Sequence, residues 1–478
     1  MSYNYLPLDR KQLHFQQVKN LLDYNQLVSI TFDAHERILR CREYLDNTST
    51  HINEQIQRND QSLCNVLKGT AVGTGEEVEA DIIKLMLMLK IKSLSYGHSG
   101  VQIETVKRLM EMFNTEVLPV IYSQGLSAAG GECGALSHLS MPLVGLGEVY
   151  YKGQKSAASS VLAKLDWQPI NLQSNEVAAL VTGTHFTSAY GMYALKKTEQ
   201  LLKIADIIAA LSFDVFDCSV MSLHEKIHSI PSHKGQVNTA AAILNYLGGS
   251  EAASERKEPS NETFSFSCTP QVHGAAKDTF EYVLNVFLRE INSVTESPII
   301  YPEENLVLTV GNFNGQHLSL TLDYLAIAMT GLGNISVRRT KQIDIDQRNL
   351  AAYAPGFSSL QSATAAIASE NKRLSTPASV GNISSGDSHE DFISTGVNAA
   401  TKCLRVINNV EKVLAIELLV AAKAREFKKS TESPPFLKQL VADFRQQVVS
   451  VDEFSILPDD IIKAVEFISN IKLRNSNL

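Results

Sequence analysis

Residues 125–153 read GLSAAGGECGALSHLSMPLVGLGEVYYKG. This stretch contains the densest group of small residues in the chain, Gly125–Gly134, and a helical pattern of apolar residues follows directly. Tandem glycines before a helix indicate either a tight turn or a backbone that approaches a ligand at the helix N-terminus. Taken alone, the stretch favours the structural turn, because glycine is the usual turn residue.

Helical periodicity of apolar residues dominates the chain after residue 80. Alternating β-branched residues are confined to short pieces at Val28–Thr31, Glu148–Tyr151, Ile299–Tyr301 and Val307–Thr309. The predicted helices are Ala80–Leu94, Thr105–Phe113, Ser188–Phe213, a helix beginning with Phe280–Ile291, Leu318–Ser336 and Lys402–Phe427. The last of these is apolar on nearly all faces, which indicates burial at the centre of a bundle. The pattern predicts a mainly α fold with a mixed α/β N-terminal part at 1–190, a central helical bundle at 191–429 and a helical tail at 430–478.

Charge and composition exclude several classes of protein. The 478 residues carry 43 Lys and Arg against 51 Asp and Glu, a net charge of -8, which argues against a nucleic-acid partner. The longest apolar stretches are interrupted by charged residues well short of a membrane span. The six cysteines form no CxxC pair and no zinc-type cluster with histidine, so no metal is expected. No apolar signal segment opens the chain, and we expect a cytoplasmic protein with reduced thiols.

Seven blocks of sequence together resemble the aromatic amino-acid ammonia-lyases, the family of histidine, phenylalanine and tyrosine ammonia-lyases and their aminomutase relatives. The resemblance runs in the right order from about residue 63 to 425. The blocks are the opening stretch at 125–153, GTHFTSAY at 183–190, SHKGQ at 232–236, CTPQVHGA at 268–275, EINSVTESPII at 290–300, GNFNGQ at 311–316 and HEDFISTG at 389–396. The resemblance implies an ammonia-lyase-type helical bundle that forms a homotetramer, with active sites built from three subunits.

The resemblance also implies a cofactor that this chain does not encode in the usual way. Members of the family cyclise an internal Ala-Ser-Gly triplet to methylidene-imidazolone, whose methylidene carbon is the serine Cβ. The matching triplet here is Ala129-Gly130-Gly131. Because glycine has no Cβ, we expect no methylidene and therefore no cofactor.

Other positions matching the family's pocket also differ. The family's Tyr-containing TGFG loop is missing after Tyr44. Where the family has a Ser-His pair, this chain has Gly69-Thr70. Thr182 replaces the Asn of a family Asn-Gly-Thr, while Phe264 and Ser267 replace the Tyr and Arg of a family YSLRC. Serine cannot form the bidentate pair that arginine makes with a carboxylate. The positions expected to line a ligand pocket are Thr70, Thr182, His185, Phe264, Ser267, Phe313 and Asn314.

His389 and Glu390 are the candidates for acid/base chemistry. His389 stands where histidine ammonia-lyases have Gln, and an imidazole beside a carboxylate is suited to proton transfer near neutral pH. The alternative is a histidine that hydrogen-bonds a neighbouring subunit. His185 is a second candidate, and packing inside the bundle is the alternative for it.

These substitutions predict a repurposed member of the family, with cofactor-independent acid/base chemistry of the lyase, isomerase, dehydratase or cyclase type. Its partner would be a small apolar or aromatic acid or acyl ligand, with neither nucleic acid nor membrane. A second hypothesis is an inactive homologue that binds a ligand or assembles with a paralogue. Of the three functions, that of a true aromatic amino-acid ammonia-lyase is the one least expected from these substitutions.

Overall fold

The computed structural model describes residues 5–48, 60–126, 132–173, 175–230, 232–248, 263–346, 357–381, 392–427, 433–449 and 457–471. The fold is mainly helical, as predicted from the apolar periodicity. The α-helices are α1 (Phe15–Asp23), α2 (Phe32–Asn47), α3 (Asp60–Thr70), α4 (Ala80–Leu94), α5 (Ile103–Asn114), α6 (Cys133–Ser140), α7 (Ala158–Lys164), α8 (Glu176–Val181), α9 (His185–Val215), α10 (Glu225–His228), α11 (Lys234–Tyr246), α12 (Phe264–Ser267), α13 (Thr269–Glu290), α14 (Gln316–Asp346), α15 (Phe357–Leu374), α16 (Gly396–Phe427), α17 (Pro435–Gln447) and α18 (Leu457–Asn470).

The strands are short and form small separate sheets. They are β1 (Tyr5–Leu8), β2 (Leu27–Ile30), β3 (Thr74–Glu77), β4 (Leu118–Pro119), β5 (Tyr122–Gln124), β6 (Glu148–Tyr151), β7 (Gln154–Ala157), β8 (Ile299–Tyr301) and β9 (Leu306–Leu308). β1 and β2 pair in parallel, with Tyr5 opposite Leu27. The pairs β3–β5, β4–β6, β6–β7 and β8–β9 are antiparallel.

The chain divides into two compact units. The first comprises Met1–Tyr193, Leu284–Leu322 and Pro377–Thr401, and the second comprises Ala194–Val283, Asp323–Thr376 and Lys402–Leu478. Each unit is therefore assembled from segments that are far apart in sequence. The three-part division drawn from the sequence stays a prediction.

In the first unit, α4 forms part of the core. Its apolar residues occupy nearly every face, and the helix is buried from Ile82 to Leu94 apart from a partly exposed Lys84. The neighbouring α5 is amphipathic instead, with Val106 and Leu109 buried and Lys107 exposed. Burial around α4 encloses two lysines, and one of them, Lys90, contributes to the candidate site.

In the second unit, the core contains a buried ion pair between α14 and α16. The Arg339 guanidinium donates from Nε to Glu417 Oε1 at 2.7 Å and from Nη2 to Glu417 Oε2 at 3.0 Å, and both side chains are fully buried. Ser212 and Ser336 also donate to the Glu417 carboxylate. Because every charge is hydrogen-bonded, the cost of desolvating the pair is offset.

Two features of the helices were not predicted from the sequence. α13 begins at Thr269, eleven residues before the predicted start at Phe280. Pro270 lies in the first turn of this helix, where its missing N–H costs no hydrogen bond. Within the described ranges, the stretch Gln316–Gln342 is long and apolar enough to cross a bilayer by length and composition. Of its apolar window, 61% is buried inside the protein, as in the core helix of a globular fold.

Candidate functional site

The two ends of the loop that corresponds to the family's cofactor position are fixed in the first unit. The N–H of Gly134, in the first turn of α6, donates to the Leu126 carbonyl at 3.1 Å. A Cβ at Gly134 would lie 2.8 Å from the Val72 carbonyl oxygen, so only glycine allows this close approach. The triplet Ala129-Gly130-Gly131 itself lies outside the described residues.

Glu132, directly after the triplet, binds the N-terminus of α9. Its carboxylate accepts the backbone N–H groups of Phe186 at 2.7 Å and Thr187 at 3.0 Å. These N–H groups have no partner within the helix, and the helix dipole favours a negative charge there. Burial nevertheless raises the pKa of Glu132 to about 7. The carboxyl group thus connects the cofactor-position loop to the first turn of α9.

Lys90 binds the backbone where α8 ends and the connection to α9 begins. Its Nζ donates to the carbonyl oxygens of Ala179 and Thr182, each at 3.0 Å, and lies 3.5 Å from Glu296 Oε1. The two carbonyls belong to the C-terminal end of α8, where they have no helical partner. The Lys90 and Glu296 side chains are each 1% exposed. Burial lowers the pKa of Lys90, and the Glu296 carboxylate opposes that shift.

His185 lies beside the same buried carboxylate, that of Glu296. Its Nε2 is 3.5 Å from Glu296 Oε1, and Ser93 Oγ donates to Glu296 Oε2 at 2.6 Å. Burial, with the nearby charge of Lys90, holds the pKa of His185 well below its usual value, so the imidazole is neutral at physiological pH. Its Nδ1 is buried, and no described residue hydrogen-bonds to it. Gly183 has φ +121°, and a Cβ there would lie 2.5 Å from the imidazole Cε1, so glycine is required beside this ring.

Thr70 and Thr182, both predicted to line a pocket, use their hydroxyl groups to hold the backbone. Thr70 Oγ1 donates to the Val66 carbonyl at 2.7 Å and lies 2.7 Å from Ser137 Oγ. Thr182 Oγ1 donates to the Ala178 carbonyl at 2.7 Å and accepts the N–H of Ser297 at 3.2 Å. Both side chains are half-buried and position helix ends at the site.

Two further segments meet the first turn of α9. A Cβ at Gly315 would lie 3.3 Å from Ser394 Oγ and 3.6 Å from Thr184 Cγ2. A Cβ at Gly396 would lie 2.7 Å from Thr187 Oγ1. The 311–315 loop and the segment after the predicted acid/base pair therefore both approach α9, where Glu132 and His185 also lie.

Phe313 and Asn314 are half-buried in that loop. Asn314 Oδ1 accepts the N–H of Gln316 at 3.1 Å and so caps the start of α14. The structure brings both residues to the region of Thr184 through Gly315.

The remaining predicted site residues are not gathered there by what the structure describes. His389 and Glu390 lie outside the described residues. Phe264 and Ser267 belong to the second unit, where they are the first and last residues of the short helix α12. The Phe264 residue is 82% exposed.

The charged side chains that form the framework of this site were not predicted from the sequence. Lys90 stands in the apolar run LMLMLKIKSL and was counted as part of a core helix, although a lysine surrounded by apolar residues indicates a buried charge with a partner. Glu296 lies in EINSVTESPII, and no local pattern joins it to Lys90 across 206 residues. Glu290 opens the same family block, and its sequence context does not indicate a buried polar role.

Comparison with known proteins now settles the family. Residues 13–446 match the family model of aromatic amino acid lyases. The chain belongs to that family. It is 36% identical to a histidine ammonia-lyase of Treponema denticola over 415 residues, 85% of this chain and 82% of the relative. It is 32% identical to a histidine ammonia-lyase of Natranaerobius thermophilus over 482 residues, 95% of each chain. The crystal structure of histidine ammonia-lyase from Trypanosoma cruzi superposes with a TM-score of 0.88 at 28% identity, over 97% of this chain and 93% of that chain.

These relatives correct the function predicted from the sequence. A repurposed acid/base enzyme or an inactive homologue was placed first, and a true ammonia-lyase last. That prediction is wrong, because extended identity to proteins named histidine ammonia-lyase points to the ammonia-lyase reaction. The error came from reading each lost family side chain as the loss of the reaction, while the buried Lys90–Glu296 framework around the site was not recognised.

Proposed function

We propose that this aromatic amino acid lyase eliminates ammonia from L-histidine or a closely related imidazole amino acid. The observation that supports this is the identity of 32–36% to histidine ammonia-lyases over most of the chain. In the first unit, the α9 N-terminus, the flanks of the cofactor-position loop and the 311–315 loop converge, as a substrate site requires.

The family cofactor does not fit the residues present. A methylidene-imidazolone needs a serine Cβ at the middle of the triplet, and residue 130 is glycine. We therefore propose that the chain lacks this group, and no step of the elimination is assigned to it. We expect the intact mass of the purified protein to show no loss of two water molecules.

The elimination itself needs a base, a binding site for the amino acid and a path for the leaving amine. A base removes the proton from the substrate Cβ, those electrons form the C=C bond, and the C–N bond breaks to release ammonia, which takes up a proton. We propose His389 and Glu390 as the acid/base pair, since they directly precede the segment that meets α9. Phe313 is proposed to contact the substrate ring. Thr70, Thr182 and Asn314 are proposed to position the backbone around the substrate.

Assembly and location belong to the same proposal. We propose a homotetramer, with Phe264 and Ser267 contributing to sites from another copy or from a paralogue. The cytoplasm is the proposed location, in keeping with six cysteines that form no disulfide among the described residues.

Urocanate release from L-histidine tests the proposal. We expect slow but measurable formation of urocanate and ammonium in equal amounts by the wild-type protein. His389→Ala and Glu390→Gln should each abolish it, whereas His35→Ala, a change at a partly exposed histidine on α2, should not. The absence of urocanate from wild type at stoichiometric enzyme would contradict the proposal.

The contribution of residue 130 is measured with two substitutions. Gly130→Ser restores the Ala-Ser-Gly triplet, and we expect a mass lower by two waters and turnover higher by about 10²-fold, because the amino group is then activated. Gly130→Ala adds a Cβ without a hydroxyl and is the matched control. Equal turnover in both variants would show that bulk alone matters at this position.

A further inference from the structure

A small polar cavity lies beside the first turn of α9, within the first unit. Its volume is about 10 Å³, enough for one water-sized group. Leu89 and Ile291 supply its apolar wall. The polar residues that line it are Ser93, Thr184, His185, Ser188, Glu290, Ser293 and Thr295.

The polar wall presents mainly hydrogen-bond acceptors. Thr184 Oγ1 donates to Glu290 Oε1 at 2.6 Å, and Ser93 Oγ donates to Glu296 at 2.6 Å, so both hydroxyl protons are already used. Thr295 Oγ1 accepts the N–H of Thr184 at 3.3 Å. The remaining lone pairs of these oxygens suit a small group that carries several donors.

His185 lines the cavity and carries a buried ring nitrogen that has no hydrogen-bond partner among the described residues. The neutral imidazole has one N–H and one lone pair, and its Nε2 side faces the Glu296 carboxylate at 3.5 Å. With the proton on Nε2, the lone pair is on Nδ1, which is buried and has no partner in the described part of the chain. The residue is 5% exposed, so bulk water does not satisfy that nitrogen.

The charges facing the cavity favour a cation. Lys90 neutralises Glu296, and Glu132 binds the N-terminus of α9. Glu290 has no ion pair among the residues that the structure describes, and burial raises the pKa of its carboxyl, while His317 acts in the opposite direction. When Glu290 is ionised, the cavity carries a negative charge that the neutral imidazole of His185 does not balance.

We propose that this cavity binds one ammonium ion. Ammonium has the size of water, four donors and a positive charge, which match the volume, the acceptors and Glu290. Its role rests on the proposed function, since ammonium is the second product of that elimination. Held here, the product ion would inhibit turnover.

Thermal unfolding in ammonium chloride tests the site without substrate. We expect the Tm of the full-length protein to rise with ammonium in a saturable way, beyond the effect of equal sodium or potassium chloride. Tetramethylammonium is too large for the cavity and should have no such effect. Glu290→Gln should raise the half-saturating ammonium concentration by about tenfold, because one charge-assisted hydrogen bond is lost. Glu304→Gln, at an exposed carboxylate in the same unit, is the matched control.

Three outcomes overturn the proposal: no specific ammonium effect, an equal response to potassium, or an unchanged response in Glu290→Gln. If Glu290→Gln fails to fold, Ser188→Ala replaces it, with the same expectation of weaker ammonium binding. Ammonium binding without urocanate release would refute the elimination alone. Urocanate release without ammonium binding would refute the proposed ammonium site alone.

Discussion

Glu132 shows how one side chain joins two parts of the site. It follows the triplet in sequence and is 4% exposed, yet its carboxylate is not in a salt bridge among the described residues and binds two backbone N–H groups of α9. The sequence places this residue next to the glycines of the triplet but does not reveal what its carboxylate binds. Its partners were not predictable, because Phe186 and Thr187 lie more than fifty residues further along the chain.

Glu132→Gln should flatten the pH dependence of stability. The pKa of this carboxyl is about 7 in the folded protein, against 4.5 for an ordinary glutamate carboxyl exposed to water. Between these values the folded protein binds more protons than the unfolded chain, so the free energy of unfolding falls as the pH rises, by on the order of 3 kcal/mol. Urea unfolding at pH 5 and pH 8 should show this fall in wild type and a smaller one in the variant. Glu104→Gln, at an exposed carboxylate on α5, should behave as wild type, and an equal fall in all three proteins would contradict the assignment.

At the scale of elements, Lys90 fixes the end of α8 against α4 through two carbonyl oxygens and the Glu296 carboxylate. Replacing one partner of a buried pair leaves the other charge unpaired, at a cost of about 3–5 kcal/mol. Lys90→Met should therefore destabilise the protein by that amount in urea unfolding. Adding Glu296→Gln to Lys90→Met should recover part of the loss.

Lys84→Met provides the control on the same helix. Lys84 pairs with the exposed carboxylate of Glu116, and such pairs contribute about 1 kcal/mol or less. A similar loss for Lys84→Met and Lys90→Met would contradict the distinction between the two lysines.

The helices were more predictable than the site. Ala80–Leu94 was predicted with the bounds it has, because its apolar run is continuous and ends clearly. α9 and α16 extend beyond their predicted cores, since polar residues such as His185 and Asn398 also occur in the helices. The site depends on pairs such as Lys90–Glu296, which local periodicity cannot reveal. The family blocks identified the fold and the region of the site, whereas single substitutions within them misled the functional prediction.

At the scale of the whole molecule, one face of α14 carries apolar side chains that the described residues of the chain leave exposed. Leu320, Tyr324 and Ile327 follow a helical spacing and are 52%, 48% and 46% exposed. Exposed apolar groups in such a row indicate a protein–protein interface. This stripe is the surface that we expect another copy to cover in the proposed homotetramer.

Light scattering on the purified protein should give four times the chain mass of 52.5 kDa. The double variant Leu320→Lys/Ile327→Lys places two charges on the α14 stripe, and we expect it to form smaller assemblies, because buried charges without partners oppose association. The double variant Tyr24→Lys/Val449→Lys alters two other exposed apolar residues, 77% and 74% exposed, and should stay tetrameric. If the α14 variant keeps the wild-type mass while the control does not, the interface lies elsewhere. A 52.5 kDa species for wild type at micromolar concentration would refute the tetramer itself.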